Sequence, residues 1–172
     1  MSDWSLRLAR PDDAEQMPAL EEAAAAMLVG DPGLAGLNLR ETWQPSALRS
    51  LIRKGHCLVA HVGDAMAGFL VTQPFSGELH IWEMDVHPSF QRRGIGAGLV
   101  LACQVDARNS GFRALTLTSF RDLPWNAPFY ERLGFEEVTA LDAHPRLAGE
   151  LALEADNGLP AQRRCAMICF LD

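Results

Sequence analysis

The sequence predicts an α/β fold: one mixed β-sheet with helices on both faces. Two observations predict it. Apolar runs of strand length alternate with stretches of helical period in the order βααβββαβαβαβ. Two neighbouring strand runs are parted only by Gly63 and Asp64, a two-residue spacing that makes them a tight hairpin. The 172 residues contain no internal repeat, low-complexity tract or linker, so residues 1–172 are expected to fold as a single domain.

The elements follow from local signals. A first strand covers 5–9, and Arg10-Pro11-Asp12-Asp13 then opens a helix with Asp12 as cap and Glu15 at capping-box spacing. Ala14, Met17, Leu20, Ala24 and Leu28 carry that helix to about residue 28, where Gly30-Asp31-Pro32-Gly33 breaks it. An irregular stretch over 31–44 contains Trp43. Pro45 starts a short helix with Leu48, Leu51 and Ile52 on one face, ended by Gly55. Strands are expected at 56–62, 65–72 and 79–87, the last stopped by Pro88. Ile95, Leu99, Ala102 and Cys103 mark the buried face of a helix reaching about residue 109. Beyond it come a strand at 114–119, a helix near 127–133, a strand at 135–140, a helix near 146–156 and a last strand at 164–170.

Composition narrows the function. Hydrophobic residues at 48% and charged residues at 22% exclude disordered, collagenous and disulfide-scaffold proteins. Fifteen Lys and Arg against 22 Asp and Glu give a net charge of −7, which argues against a nucleic-acid partner or an anionic membrane surface while leaving room for a local phosphate site. No apolar run approaches the roughly 18–20 residues of a membrane span. Residues 1–10 carry Asp3 and Arg7 where a signal peptide would be apolar, so a soluble, cytoplasmic protein is expected. Cys57, Cys103, Cys165 and Cys169 are dispersed through apolar contexts without C-x-x-C spacing, as reduced core thiols would be, and the five histidines are equally scattered, so no metal is expected.

The most informative stretch runs from Met84 to Leu99. A strand ends at Pro88, a turn follows, and Gln91-Arg92-Arg93-Gly94-Ile95-Gly96 opens a helix. Glycines at 94 and 96 let a ligand approach the backbone, the first free N–H groups of the helix point into the turn, and Arg92 and Arg93 add positive charge. A diphosphate suits such a place. No Gly-Lys-Ser/Thr follows, which excludes a P-loop, and the glycine spacing is wrong for a dinucleotide fold.

Val86-His87-Pro88 followed by Gln91-Arg92-Arg93-Gly94-Ile95-Gly96 resembles the acyl-coenzyme A signature Q/R-x-x-G-x-G/A of the GNAT superfamily of N-acetyltransferases. Further on, Asn126-Ala127-Pro128-Phe129-Tyr130-Glu131-Arg132-Leu133-Gly134-Phe135 is similar to that family's second motif, and the order of elements resembles its fold over essentially the whole chain. The resemblance implies a central sheet of about seven strands, splayed at the cofactor site. Met84 and Val86 would offer backbone groups to the pantetheine arm of acetyl-CoA, and the amides from Arg92 to Ala97 would hold its pyrophosphate. Tyr130 would protonate the leaving thiolate. Asn126 would hydrogen-bond the pantetheine arm, although it lies four residues before the tyrosine where the commoner pattern has six or seven. Dimerisation is common among such folds, so a homodimer is among the expected states.

An amine attacking a thioester must first lose a proton, so a base is expected. Glu83 is the first candidate, for its place on the strand leading into the cofactor site. His80 is the second, near the position of the catalytic glutamate of histone acetyltransferases and with an ordinary pKa of about 6.5. Asp85 is the third. Strand alternation would put Glu83 and Asp85 on one face and His80, Trp82 and Met84 on the other. Trp82, Phe120 and Trp125 are either core or lining of an acceptor pocket. The expected activity is transfer of an acetyl group from acetyl-CoA to a primary amine by direct attack, the acceptor being a small molecule, a peptide N-terminus or a lysine. A non-catalytic acyl-CoA-binding sensor is the alternative. The acceptor would be shaped by residues near 28–45 and 141–165, which carry no motif.

Overall fold

The computed structural model describes residues 2–26, 30–34 and 42–172. Its strands are β1 (Ser5–Leu8), β2 (Leu58–Val62), β3 (Ala65–Phe75), β4 (Glu78–Val86), β5 (Ala114–Phe120), β6 (Glu136–Glu137) and β7 (Arg164–Phe170). Its helices are α1 (Met17–Ala25), α2 (Pro45–Ile52), α3 (Ile95–Asn109), α4 (Ala127–Glu131) and α5 (Pro145–Asp156). The seven strands form one sheet in the order β1-β2-β3-β4-β5-β7-β6. β4 and β5 run parallel and the other neighbouring pairs antiparallel, the mixed sheet expected. Among the described residues no helix is long and apolar enough to cross a membrane.

Pleating sorts the core into layers. On the back face, Ile95, Leu99 and Cys103 of α3 and Tyr130 of α4 pack on Leu70, Leu79, Ile81, Leu117 and Met167. On the front face, Met17 and Leu20 of α1 and Leu48 and Ile52 of α2 cover Val59, Phe69 and Val71. Leu147 of α5 covers Ala114, Ala166 and Ile168 on the same front face, beyond β4. Cys165 and Cys169 are buried core residues of β7, as their spacing along a strand suggested.

Three expectations need correction. The first helical turn is a 3-10 segment at Pro11–Glu15 capped through Asp13, because Pro11 at its start lets the third residue reach back. Asp13 accepts the Arg10 N–H at 2.6 Å and two bonds from Arg7 at 2.7 and 2.9 Å. Burial pushes its carboxyl up, but these bonds outweigh burial and leave its pKa below the usual value. The strand at 135–140 shortens to two residues, because after Val138 the chain turns into a 3-10 segment at Leu141–Ala143. The β3–β4 hairpin is longer than read, since Ser76 and Gly77 both adopt positive φ (41° and 86°), the backbone a two-residue hairpin turn requires. Residues 27–29 and 35–41, which include the end foreseen for the first helix and much of the acceptor region, lie outside the described residues.

Gly68 shows how closely α3 approaches the sheet. A Cβ built there would lie 2.9 Å from the backbone oxygen of Asp85 and 3.3 Å from Leu99 Cδ1. Gly68→Ala is therefore expected to destabilise the fold by about 1–3 kcal/mol through overpacking, measured by urea unfolding with an unchanged m-value.

Candidate active site

β4 pairs with β5 only at Glu78↔Ala114, Leu79↔Leu115 and His80↔Thr116. Past His80, β4 is bonded to β3 alone and the sheet opens into a V. Met84 and Val86 lie on this stretch and turn their side chains to the back face. Beyond β4, Pro88–Phe90 forms a 3-10 turn, and the backbone turns left-handed at Arg92 (φ 63°) and Gly94 (φ 82°) before α3 begins. Gly94 caps α3 without a side chain, and its carbonyl is first used by the Gly98 N–H at 2.9 Å. The N–H groups of Ile95, Gly96 and Ala97 thus stand at the positive end of a 15-residue helix. Gln91 Nε2 donates to Val86 O at 3.2 Å and holds the turn against the strand. Arg93 is tied to Asp3 at 2.8 Å, and its carbonyl accepts from Trp4 Nε1 at 3.0 Å. Arg92 has no ion-pair partner among the described residues, so its charge faces the turn's surroundings unneutralised.

The second motif meets the first here. A Cβ at Gly96 would lie 3.5 Å from both Met84 Cε and Phe129 Cζ, so α4 leans on the start of α3 through Phe129. Tyr130 is buried beside it, its ring 5.1 Å from Phe129 and 5.5 Å from Phe135. Asn126 commits its side-chain oxygen to the Phe120 N–H at 3.0 Å, fixing the end of β5 to the start of α4.

The expected face assignment along β4 is overturned by a β-bulge. Val71 pairs with Glu83 and Thr72 with Ile81, so Trp82 is an extra residue that reverses the alternation after it. Glu83 lies across from Val71 and Asp85 across from Phe69, both core residues of the front face. Trp82 packs into that same layer, with its ring 4.4 Å from that of His80. His80, Trp82, Glu83 and Asp85 therefore share the front face, while Met84 lies behind. Glu83, Asp85 and Glu21 of α1 are all buried on this side. Glu21 was missed from the sequence, although it falls on the apolar stripe of α1 with Met17, Leu20 and Ala24, where a charge is out of place.

His80 differs most from its expectation. Arg146 Nη1 approaches its Nδ1 at 3.2 Å and Thr116 Oγ1 at 2.8 Å. A guanidinium can only donate, so Nδ1 is an acceptor and the proton of the neutral ring resides on Nε2. Burial, with Arg146 adding to it, lowers the pKa of His80 to about 3. A ring so held is a poor base at neutral pH. Burial raises all four thiols, which disfavours a thiolate at any of them.

Opposite the α1 side, Arg163 joins two regions that the sequence left without a motif. Its guanidinium grips Asp31 at 2.8 and 2.9 Å and reaches Asp122 at 3.0 Å. Phe120 is buried there with Leu34 and Leu123, whereas Trp125 is exposed.

Residues 53–137, which contain both motifs and the V, match the family model of the acetyltransferase (GNAT) domain. Residues 53–137 are an acetyltransferase domain of the GNAT superfamily. This GNAT protein shares its fold with the PaiA N-acetyltransferase of Thermoplasma acidophilum, solved in complex with coenzyme A, at a TM-score of 0.73 and 16% identity over 99% of each chain. It is similar to Ard1 from Thermoplasma volcanium (TM-score 0.69, 18% identity, 99% of each chain). The ribosomal-protein-S18-alanine N-acetyltransferase of Escherichia coli also matches, at a TM-score of 0.69 and 18% identity over 98% of this chain and 94% of that one.

The buried neutral His80 makes stability depend on pH. Its folded pKa lies below the unfolded value, so its contribution is complete above about pH 6.5 and is lost as pH falls below that. Going from about pH 7.5 to 5.5 should cost about 1.4 kcal/mol from this group. Chemical denaturation across that range should show a shallower loss in His80→Gln than in the wild type.

Proposed function

We propose that this GNAT protein transfers the acetyl group of acetyl-CoA to a primary amine by direct attack. The observation that carries the reading is the V between β4 and β5, ending at the bare amides of Ile95, Gly96 and Ala97. The pyrophosphate would sit at those amides with Arg92 beside it. The pantetheine arm would run along the open edge of β4 past Met84 and Val86, and Asn126 would support it indirectly by holding the end of β5. Glu83 would take the proton from the ammonium group of the acceptor, directly or through water. The amine nitrogen then attacks the thioester carbon, the C–N bond forms and the C–S bond breaks. Tyr130 would give its phenolic proton to the departing sulfur, so that coenzyme A leaves as the thiol. With every cysteine held as a thiol, an acyl-cysteine route lacks a nucleophile. The buried carboxylates Glu21, Glu83 and Asp85 on the front face favour a cationic amine as acceptor, in keeping with the net charge of −7.

The decisive experiment combines coenzyme binding with turnover of an amine panel. Acetyl-CoA at about 100 times its dissociation constant should add about 2.7 kcal/mol of stability, seen as a rise in Tm. Binding without turnover of any amine would leave a sensor module instead of an enzyme. Tyr130→Phe should lower kcat by about 100-fold with little change in coenzyme affinity, because the proton is given only in the transition state. Glu83→Gln should reduce the rate most where the amine is protonated, so rate-against-pH curves for the variant should shift to higher pH.

A further inference from the structure

We propose that Arg146, on the helix between β6 and β7, is a positioning residue that locks His80 in its Nε2–H form and thereby holds the Trp82 bulge that turns Glu83 to the front face. The bulge is the only irregularity recorded between β3 and β4, and a chain of contacts on the front face supports it. Arg146 Nη1 donates to His80 Nδ1 at 3.2 Å, while its Nη2 donates to Thr116 Oγ1 at 2.8 Å and to Glu78 at 3.1 Å. Thr116 Oγ1, accepting from Arg146 Nη2, lies 2.8 Å from the same Nδ1. The guanidinium lies 4.5 Å over the Phe75 ring, which fixes its plane. The imidazole meets Trp82 edge-on at 4.4 Å, Phe75 meets both rings at 6.2 Å, and Trp82 Nε1 donates to Gln73 Oε1 at 3.0 Å.

Arg146 thus joins three strands at the apex of the V, through Phe75, through Glu78 and His80, and through Thr116. The charged group against His80 is Arg146, which pairs with Glu78 at 3.1 Å and, one turn further on α5, faces Glu150. β3 and β5 contribute only the uncharged Phe75, Gln73 and Thr116 to its surroundings. Protonating His80 would place a second cation against Arg146, take away the acceptor at Nδ1, and push the ring from Trp82. Burial is the larger cause of the neutral ring, and Arg146 adds to it by charge and fixes the tautomer by hydrogen bonding.

The inference rests on the proposed acetyl transfer only for its consequence at Glu83, so its first test uses the free protein. Long-range 15N–1H NMR, with the His80 signals assigned through His80→Gln, should show a neutral Nε2–H ring unchanged from about pH 5 to 8. Arg146→Met keeps an apolar stem over Phe75 but removes charge and donors, and in it His80 should mix tautomers and titrate at higher pH than in the wild type. In turnover assays Arg146→Met should gain an acid limb, losing about tenfold more kcat than the wild type between pH 8 and 5.5, with coenzyme affinity changed less than about twofold. Arg146→Lys should restore part of the loss, and adding His80→Gln to Arg146→Met should abolish the extra limb. A wild-type His80 that titrates between pH 5 and 7, that carries its proton on Nδ1, or whose signals are the same in Arg146→Met would overturn the inference. Absence of turnover with every amine, alongside the expected NMR behaviour, would refute the proposed function and leave this lock standing.

Discussion

The separation of β4 from β5 after His80 is the constraint on which the rest of this molecule depends. Parallel strands that stay paired leave no room for a ligand between them, and here pairing stops after three residue pairs. The open edge of β4 then runs straight to the left-handed turn at Arg92 and Gly94 and the start of α3. One break in the ladder therefore produces both an open strand edge and, at its end, the positive end of α3. The back-face core of α3, α4 and the strands keeps the two sides of the slot from closing.

The bulge at Trp82 serves the other face. Without it, Glu83 would lie with Ile81 on the back face among aliphatic side chains, where a carboxylate is costly. With it, Glu83 and Asp85 face the layer under α1, and Met84 and Val86 face the slot side. A single additional residue thus divides the strand between two faces, with Met84 and Val86 behind and Glu83 and Asp85 in front.

Much of this was legible in the sequence. The alternation of strands and helices, the Gly63-Asp64 hairpin and the turn into α3 rest on local signals of period and turn chemistry, and those signals survive folding. The bulge was not legible, because one inserted residue leaves the run Leu79–Val86 looking like an ordinary alternating strand. Asp13 replaced Asp12 as the capping group because its second partner, Arg7, belongs to the preceding strand. His80 read as a base because its pKa is set by burial in the folded core, with Arg146, 66 residues away, adding to it. Spacing along a chain does not announce contacts of that range. Asn126 was placed correctly at the head of α4, yet its oxygen serves Phe120 because the shortened interval before Tyr130 leaves it at the end of β5.

The turn that opens α3 is braced from far away in the chain. Trp4 donates to the Arg93 carbonyl and Asp3 pairs with its guanidinium across about ninety residues of sequence. β1, beside these residues, is an edge strand that pairs in the sheet with β2. The segment that carries both motifs, residues 53–137, thus contains the turn and its Gln91–Val86 brace but not Trp4 and Asp3. A fragment cut to those limits would keep every glycine and arginine of the turn and lose two of its braces, so the smallest unit with a fully braced turn reaches back past the first strand to Asp3.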